Sequence, residues 1–237
     1  MKKLILLTFL GFAHLSSQAC LTCNQTLQEN IYQNSFYPNL LIMLSSFLIL
    51  AIIVGILVGI TNRRHNEIVA GNPEFKFLTP VPMITASMVL GMGLGGFFDG
   101  ILFHQILQFH EMVSYQVPPT SLDSQNLNMF WDGIFHFFCL LVVLIGVLLQ
   151  WRLHFRNDVS HSGKLLGGGL LLGWGLFNIV EGVINHHLLK LHNVNEFADN
   201  PSAWNLGFLV ISLLLIIIGY AMVRTRGHYR STQTIKL

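Results

Sequence analysis

The sequence predicts an all-α protein, a polytopic membrane helix bundle with five spans in the mature chain. Hydrophobic residues make up 52% of the chain and charged residues only 10%, which is too little polar surface for a soluble globule. Five apolar runs are long enough to cross the hydrocarbon layer of about 30 Å as helices. A stretch at residues 91–110 recurs at 173–192, which predicts a two-fold internal repeat. The formal net charge of +2 is too mild to indicate a nucleic-acid partner.

Residues 1–19 have the pattern of a secretory signal peptide. Lys2 and Lys3 precede an apolar run at 4–12, and small residues at 17–19 occupy the cleavage positions. Cleavage there would make Cys20 the first residue of the mature chain. The alternative is an uncleaved first membrane helix, which would leave the topology downstream unchanged.

Residues 20–80 are predicted to contain a periplasmic Cys-x-x-Cys segment, the first span and a cytoplasmic loop. Cys20 and Cys23, in an oxidising compartment, favour a disulfide, and a soft-metal pair suited to copper(I) is the alternative. The first span extends from about residue 40 to 60, and Arg63 and Arg64 follow it. Prolines between 62 and 80 indicate a loop.

Residues 81–230 are predicted to form a four-helix duplicated membrane domain with the His/Asp/Glu site, followed by a cytoplasmic tail at 231–237. Basic residues follow the first, third and fifth spans, so all basic clusters fall on one side of the bilayer. This asymmetry predicts a bacterial inner-membrane protein with a periplasmic mature N-terminus and a cytoplasmic C-terminus. The second span begins near residue 83, and the third runs from about residue 129 to 151. The fourth span begins near residue 165, and the fifth runs from about residue 204 to 223.

The two copies of the repeat align without a gap and share ionisable residues as well as glycines. Apolar membrane segments seldom resemble each other by chance in ionisable residues, so the match predicts a duplication, with spans two and three matching spans four and five. Such a parallel repeat predicts a pseudo-twofold axis along the membrane normal. An offset of 82 residues relates Asp99, His104 and His110 to Glu181, His186 and His192.

The ionisable groups are predicted to lie at one depth near the outer face. At 1.5 Å per residue, Asp99 and Glu181 lie about 24 Å above the cytoplasmic starts of their helices. Asp132 and His136 enter from the opposite direction on span three and share a helix face. On an ideal α-helix Asp99 and His104 are about 140° apart, so one helix cannot gather all the ligands. They must converge from different helices, or the last histidine of each copy must fold back beyond a helix end.

Three interpretations of this cluster remain open. Imidazoles with carboxylates suit a transition metal ion such as zinc, iron, copper or manganese. Haem is the second, with His104 and His186 approaching one iron from opposite faces. In the third, the acids and histidines bond only to each other and fix helix register. The candidate metal ligands are Asp99, His104, His110, Asp132, His136, Glu181, His186 and His192.

Residues 93–110 and 177–186 resemble a family of bacterial predicted membrane proteins classed as a domain of unknown function (number 2243). The likeness covers roughly residues 85–225 and implies the fold and the site, without an established activity. In that family a second histidine tends to follow each position that matches His110 and His192. This sequence has Glu111 and Asn193 there, so a four-histidine rim site is not implied.

The preferred functional hypothesis is metal handling or metal-centred redox chemistry linked to the respiratory membrane. Cys20 and Cys23 would be an accessory thiol pair that passes copper inward, and the partners would be the lipid bilayer and respiratory or metal-delivery proteins. The alternatives are a metal-dependent hydrolase with Asp99 or Glu181 as base, a haem-binding electron carrier, and a non-metal assembly or scaffold protein. The sequence leaves open whether the protein is an enzyme.

Overall fold

The computed structural model describes residues 37–71 and 79–224, together with Glu29 and Gln33. Throughout these residues the regular structure is helical. The predicted signal peptide, the Cys20 and Cys23 pair, and the predicted tail at 231–237 lie outside the described residues.

Five helices in the described residues are long and apolar enough to cross a membrane, which confirms this part of the prediction. Two of them continue without a break into π-helical segments, Asp99–Ile106 after the second helix and Gly182–Leu188 after the fourth. In chain order the helices are α1 Tyr37–Ala70, α2 Val81–Phe98, α3 Leu122–His154, α4 Gly163–Glu181 and α5 Pro201–Val223.

Two helices extend beyond the predicted spans. α1 continues to Ala70, through residues that the prolines had indicated as loop, and it carries an Arg63–Glu67 ion pair one turn apart. α3 begins at Leu122 because Ser121 caps its first turn by accepting a hydrogen bond from the backbone N–H of Ser124. The apolar runs therefore mark the membrane-spanning parts of these helices, while polar contacts set the helix ends.

The far end of α1 is tied to the connection between α3 and α4. His65 on α1 lies 2.8 Å from the hydroxyl of Thr79 through Nδ1 and 3.0 Å from Asp158 Oδ2 through Nε2. Arg156 bonds the same carboxylate at 2.5 Å and contacts the His65 ring. Thr79 also pairs with Val159 in an isolated β-bridge. These contacts fix α1 against the bundle at the end opposite the histidines of the repeat.

This link predicts a small, pH-dependent contribution to stability. The Arg156 guanidinium lowers the pKa of Asp158 from 3.8 to about 2. A carboxylate with a depressed folded-state pKa stabilises the fold above its unfolded pKa, and the contribution is lost as pH falls through the folded value. Both side chains are over a third exposed, so we expect Asp158→Asn to lose less than about 1 kcal/mol at neutral pH.

Thermal unfolding in detergent at pH 7 and at about pH 2 checks this expectation, because the difference between wild type and Asp158→Asn should be much smaller at the lower pH. Glu67→Gln is the matched control, since the Arg63–Glu67 pair is 84% and 63% exposed and should contribute almost nothing. A difference that stays constant across the pH range would contradict the assigned role of Asp158.

α2 and α4 cross in close contact through glycines. A Cβ atom on Gly91 would lie 2.2 Å from the carbonyl oxygen of Leu170, and one on Gly173 would lie 1.9 Å from that of Met88. Glycine at the crossing allows the two backbones to approach this closely. The crossing brings the π-helical ends of α2 and α4 together at one end of the bundle. α3 packs against α2, and α5 packs against α4.

Candidate metal centre

The π-helical segments place each acid beside the histidine that follows it five residues later. Backbone hydrogen bonds in a π-helix join residues five apart, which brings positions i and i+5 to one face. Asp99 Oδ2 lies 3.3 Å from His104 Nε2, and Glu181 Oε1 lies 3.0 Å from His186 Nε2. The separation of about 140° expected from ideal α-helical geometry is therefore wrong for these pairs.

Each π-helical segment ends in a tight reversal. Gln108 and Lys190 adopt left-handed backbone conformations, with φ of 52° and 49°. The backbone N–H groups just before them still bond back into the helix, from Leu107 to Leu102 and from Leu189 to Ile184, both at 2.8 Å. The chain then turns back over the helix end. This is the second geometry that the sequence allowed for the last histidine of each copy.

His110 and His192 meet face to face after these reversals. Their rings are nearly parallel, with an interplanar angle of 6° and centroids 4.5 Å apart. Each Nδ1–H donates to a backbone carbonyl on the opposite loop, His110 to Val194 and His192 to Met112, both at 2.9 Å. Because a carbonyl only accepts, Nδ1 carries the hydrogen and Nε2 of the neutral ring has a free lone pair. Metal-bound histidines commonly have this orientation.

His104 faces the same space and is held by Asp132. Its Nδ1 lies 2.8 Å from Asp132 Oδ1, which also accepts a hydrogen bond from the backbone N–H of Met112 at 2.9 Å. Its ring centroid lies 4.3 Å from that of His110. The Nε2 atom of His110 is buried without a hydrogen-bond partner, whereas that of His104 has the 3.3 Å contact with Asp99. The His110 nitrogen is thus left for another ligand, and a carboxylate lies beside the His104 nitrogen.

Glu181 contacts two histidines, His186 and His192. Its Oε1 lies 3.0 Å from His186 Nε2 and 2.9 Å from His192 Nε2. Since Nδ1 of His192 already donates to a carbonyl, a neutral ring would direct its Nε2 lone pair at the carboxylate. Two acceptors at that distance repel each other unless a proton or a metal ion lies between them. The other oxygen, Oε2, is buried with no partner.

These atoms form two overlapping groups that could hold a metal ion. One consists of His104, His110 and His192, and the other of Glu181, His186 and His192, with the ligand atoms of each group within 4.8 Å of one another. All five residues are at most 4% exposed. Burial and the neighbouring imidazoles also hold the pKa of His110, which lies outside the spans, well below its ordinary value. The ring is therefore in the neutral form that binds metals.

The other predicted ligands have different positions. Asp99 lies beside His104, and Asp132 supports the opposite nitrogen of that ring. His136 lies outside both groups, because its Nδ1 bonds the backbone carbonyl of Asp132 at 2.7 Å and its ring packs against Gly100. A shared helix face allowed Asp132 and His136 to act together, but the Asp132 carboxylate is directed to His104 instead.

Sequence reasoning did not identify the groups that hold the loops in place. Asn128 Oδ1 accepts from the backbone N–H of Val113 at 3.0 Å, and Asn205 Oδ1 accepts from that of Val194 at 2.9 Å. The carbonyl acceptors of the two histidines, on Met112 and Val194, have no side-chain signature. They do lie 82 residues apart, the offset between the two similar stretches of sequence, and this spacing could have indicated them.

The packing of the imidazoles disfavours the haem interpretation. The ring centroid of His110 lies 4.3 Å from that of His104 and 6.2 Å from that of His186. The ring centroid of His192 lies 5.7 Å from that of His104 and 4.8 Å from that of His186. Protein therefore fills the space that a macrocycle would need between His104 and His186.

Comparisons with curated proteins and with solved structures give no match for this chain. The family profile described as "Predicted membrane protein (DUF2243)" matches residues 86–226. That range includes most of α2, all of α3, α4 and α5, and the residues of both ligand groups. The chain therefore belongs to the DUF2243 family of predicted membrane proteins.

Proposed function

We propose that the protein binds a transition metal ion at the cluster of four histidines and Glu181. The observation that carries this proposal is the Nε2 atom of His110, which is buried, has no hydrogen-bond partner and faces the other imidazoles. Leaving a buried polar group unpaired costs about 1–3 kcal/mol. A cluster that served only to fix helix register would be expected to pair its groups, so this pattern supports a metal centre over structural glue.

The donor set supports an ion of borderline softness. Imidazole nitrogen and carboxylate oxygen suit zinc, iron, manganese or copper(II), whereas copper(I) prefers sulfur ligands. Copper(I) would therefore bind at the Cys20 and Cys23 pair. In this proposal the thiols are an accessory pair that passes copper inward, and the histidine cluster binds zinc, iron, manganese or copper(II).

The role that we propose is metal handling or metal-centred redox chemistry at a bacterial inner membrane, with respiratory or metal-delivery proteins as partners. The centre would lie near the periplasmic face, with the mature N-terminus outside and the C-terminus in the cytoplasm. Basic residues that follow the apolar runs of α1, α3 and α5 support this orientation. The near-complete burial of the cluster favours ion binding or electron transfer over hydrolysis, since a substrate would reach it only if the loops moved.

We further propose that α2 with α3 and α4 with α5 descend from one duplicated unit. Reciprocal contacts support this origin. Gly91 approaches Leu170 while Gly173 approaches Met88, and both pairs are related by the offset of 82 residues. The hydrogen bonds of His110 to Val194 and of His192 to Met112 have the same reciprocal relation.

Elemental analysis of the full-length protein, purified in detergent without chelators, tests the metal centre. We expect at least one transition metal ion per chain in the wild type, and a loss of metal affinity of more than about 10-fold in His110→Ala, which removes a ligand and leaves its carbonyl partner unpaired. His187→Ala is the matched control, since His187 bonds Gly182 O at 2.8 Å and belongs to neither ligand group.

Two results would contradict the proposal. One is wild-type protein that retains no ion after exposure to zinc, iron, manganese and copper. The other is His110→Ala with the same affinity as His187→Ala.

A further inference from the structure

The centre has more ligands than one ion needs, and this excess is divided evenly between the two repeat copies. We infer that the site is dinuclear and that each copy supplies one acid and two histidines to its own divalent ion. This inference rests on the metal centre proposed above. The first ion is held by Asp99, His104 and His110. The second is held by Glu181, His186 and His192.

The spacing of the ligand atoms supports two positions. The two ligand groups share only His192, and a single imidazole lone pair can bind one ion at a time. If His192 binds the ion beside Glu181, the group of His104 and His110 needs another donor. Asp99 meets this need, because its Oδ2 lies 3.3 Å from His104 Nε2. Each ion then has three ligands from its own copy, the number found in zinc sites that keep a further position open.

Glu181 has the contacts of a bridging carboxylate. Its Oε1 serves both histidines of the second copy, while Oε2 is buried and has no partner. In two-metal sites the ions lie about 3.5–4 Å apart, so one carboxylate can bind an ion with each oxygen. The free oxygen would bind the first ion. The ring centroids of His110 and His192, which belong to different ions in this assignment, lie 4.5 Å apart.

The buried charge also favours two ions. Asp99, Asp132 and Glu181 are each at most 4% exposed, and in the described chain their ion-pair contacts are to histidines, with no lysine or arginine among them. With a single divalent ion, one of the three negative charges must be compensated by a protonated histidine, because a buried uncompensated charge is strongly unfavourable. Two divalent ions compensate all three and leave one positive charge for a bound hydroxide.

A cobalt(II) titration of the metal-free full-length protein in detergent tests this inference. Visible absorption of bound cobalt should rise to a break at two equivalents, and the desalted sample should contain two ions per chain. The variant Asp99→Asn with His104→Ala should bind one, as should the variant Glu181→Gln with His186→Ala. The His136→Ala control should bind two, because that side chain lies outside both ligand groups.

The outcomes separate the two proposals. Saturation of the wild type at one cobalt ion would overturn the dinuclear inference and leave the metal centre in place, with the remaining charge balanced by a protonated histidine. Absence of bound cobalt and of every other ion would overturn both. The wild-type stoichiometry decides the question even if a double variant fails to fold, and a variant that retains one ion is shown by that ion to be folded.

Discussion

Gly173→Ala should destabilise the bundle by about 3 kcal/mol or more, which is the upper end of the effect of overpacking in a core. The new Cβ would lie 1.9 Å from the carbonyl oxygen of Met88, and this neighbour is backbone, so it cannot rotate away. α2 and α4 would have to separate at their crossing. The loss of helical circular dichroism on heating or in denaturing detergent measures the effect.

Gly207→Ala is the matched control for this substitution. Gly207 lies within α5, and a Cβ there would have no atom within 4 Å. Alanine favours helix over glycine by about 1 kcal/mol, so this variant should be as stable as the wild type or slightly more stable. Equal stability of Gly173→Ala and Gly207→Ala would show that the two helices do not meet as closely as described.

Glu181→Gln should weaken zinc binding at the position beside His186 and His192 by more than the roughly 100-fold that loss of an outer-shell partner can cause. Glutamine preserves the shape of the side chain but removes the negative charge of the carboxylate that faces both His186 and His192. Competition for zinc against a chelator of known affinity measures the change.

Glu196→Gln is the control for this second substitution. Glu196 also binds loop groups, accepting from the backbone N–H of Asn193 at 2.9 Å, but it belongs to neither ligand group. Its replacement should change zinc affinity by less than about 10-fold. If Glu181→Gln and Glu196→Gln weakened zinc binding equally, the role of Glu181 would be to hold the loops by hydrogen bonds and not to bind the ion.

The parts of the fold that depend on hydrophobic pattern could be predicted from the sequence. Apolar runs indicated all five helices, and recurrence of acids and histidines at one offset indicated the cluster that contains His104, His110, His186 and His192. The apolar runs and the recurring acids and histidines are both patterns of side chains, which the sequence shows directly. Helix ends set by local polar contacts, such as the Ser121 cap of α3, have no counterpart in hydropathy, and they were placed less well.

The geometry of the site could not be predicted, because it depends on backbone conformation. Nothing in the side chains of residues 99–106 distinguishes a π-helix from an α-helix, yet this change alone brings Asp99 next to His104. The carbonyl partners of His110 and His192 are likewise invisible to motif reasoning. His136 shows the converse problem, since spacing of four residues predicted a shared role with Asp132 while the ring instead bonds the backbone.

X-ray absorption at the zinc edge of zinc-loaded full-length protein tests most directly whether the buried imidazoles bind a metal. We expect a first shell of nitrogen and oxygen with the multiple scattering of several imidazoles, because both ligand groups consist of histidines and a carboxylate. His110→Ala should reduce the imidazole signal. A first shell without imidazole scattering, such as that of hydrated zinc or of zinc bound only by thiols, would show that the buried imidazoles do not bind the ion.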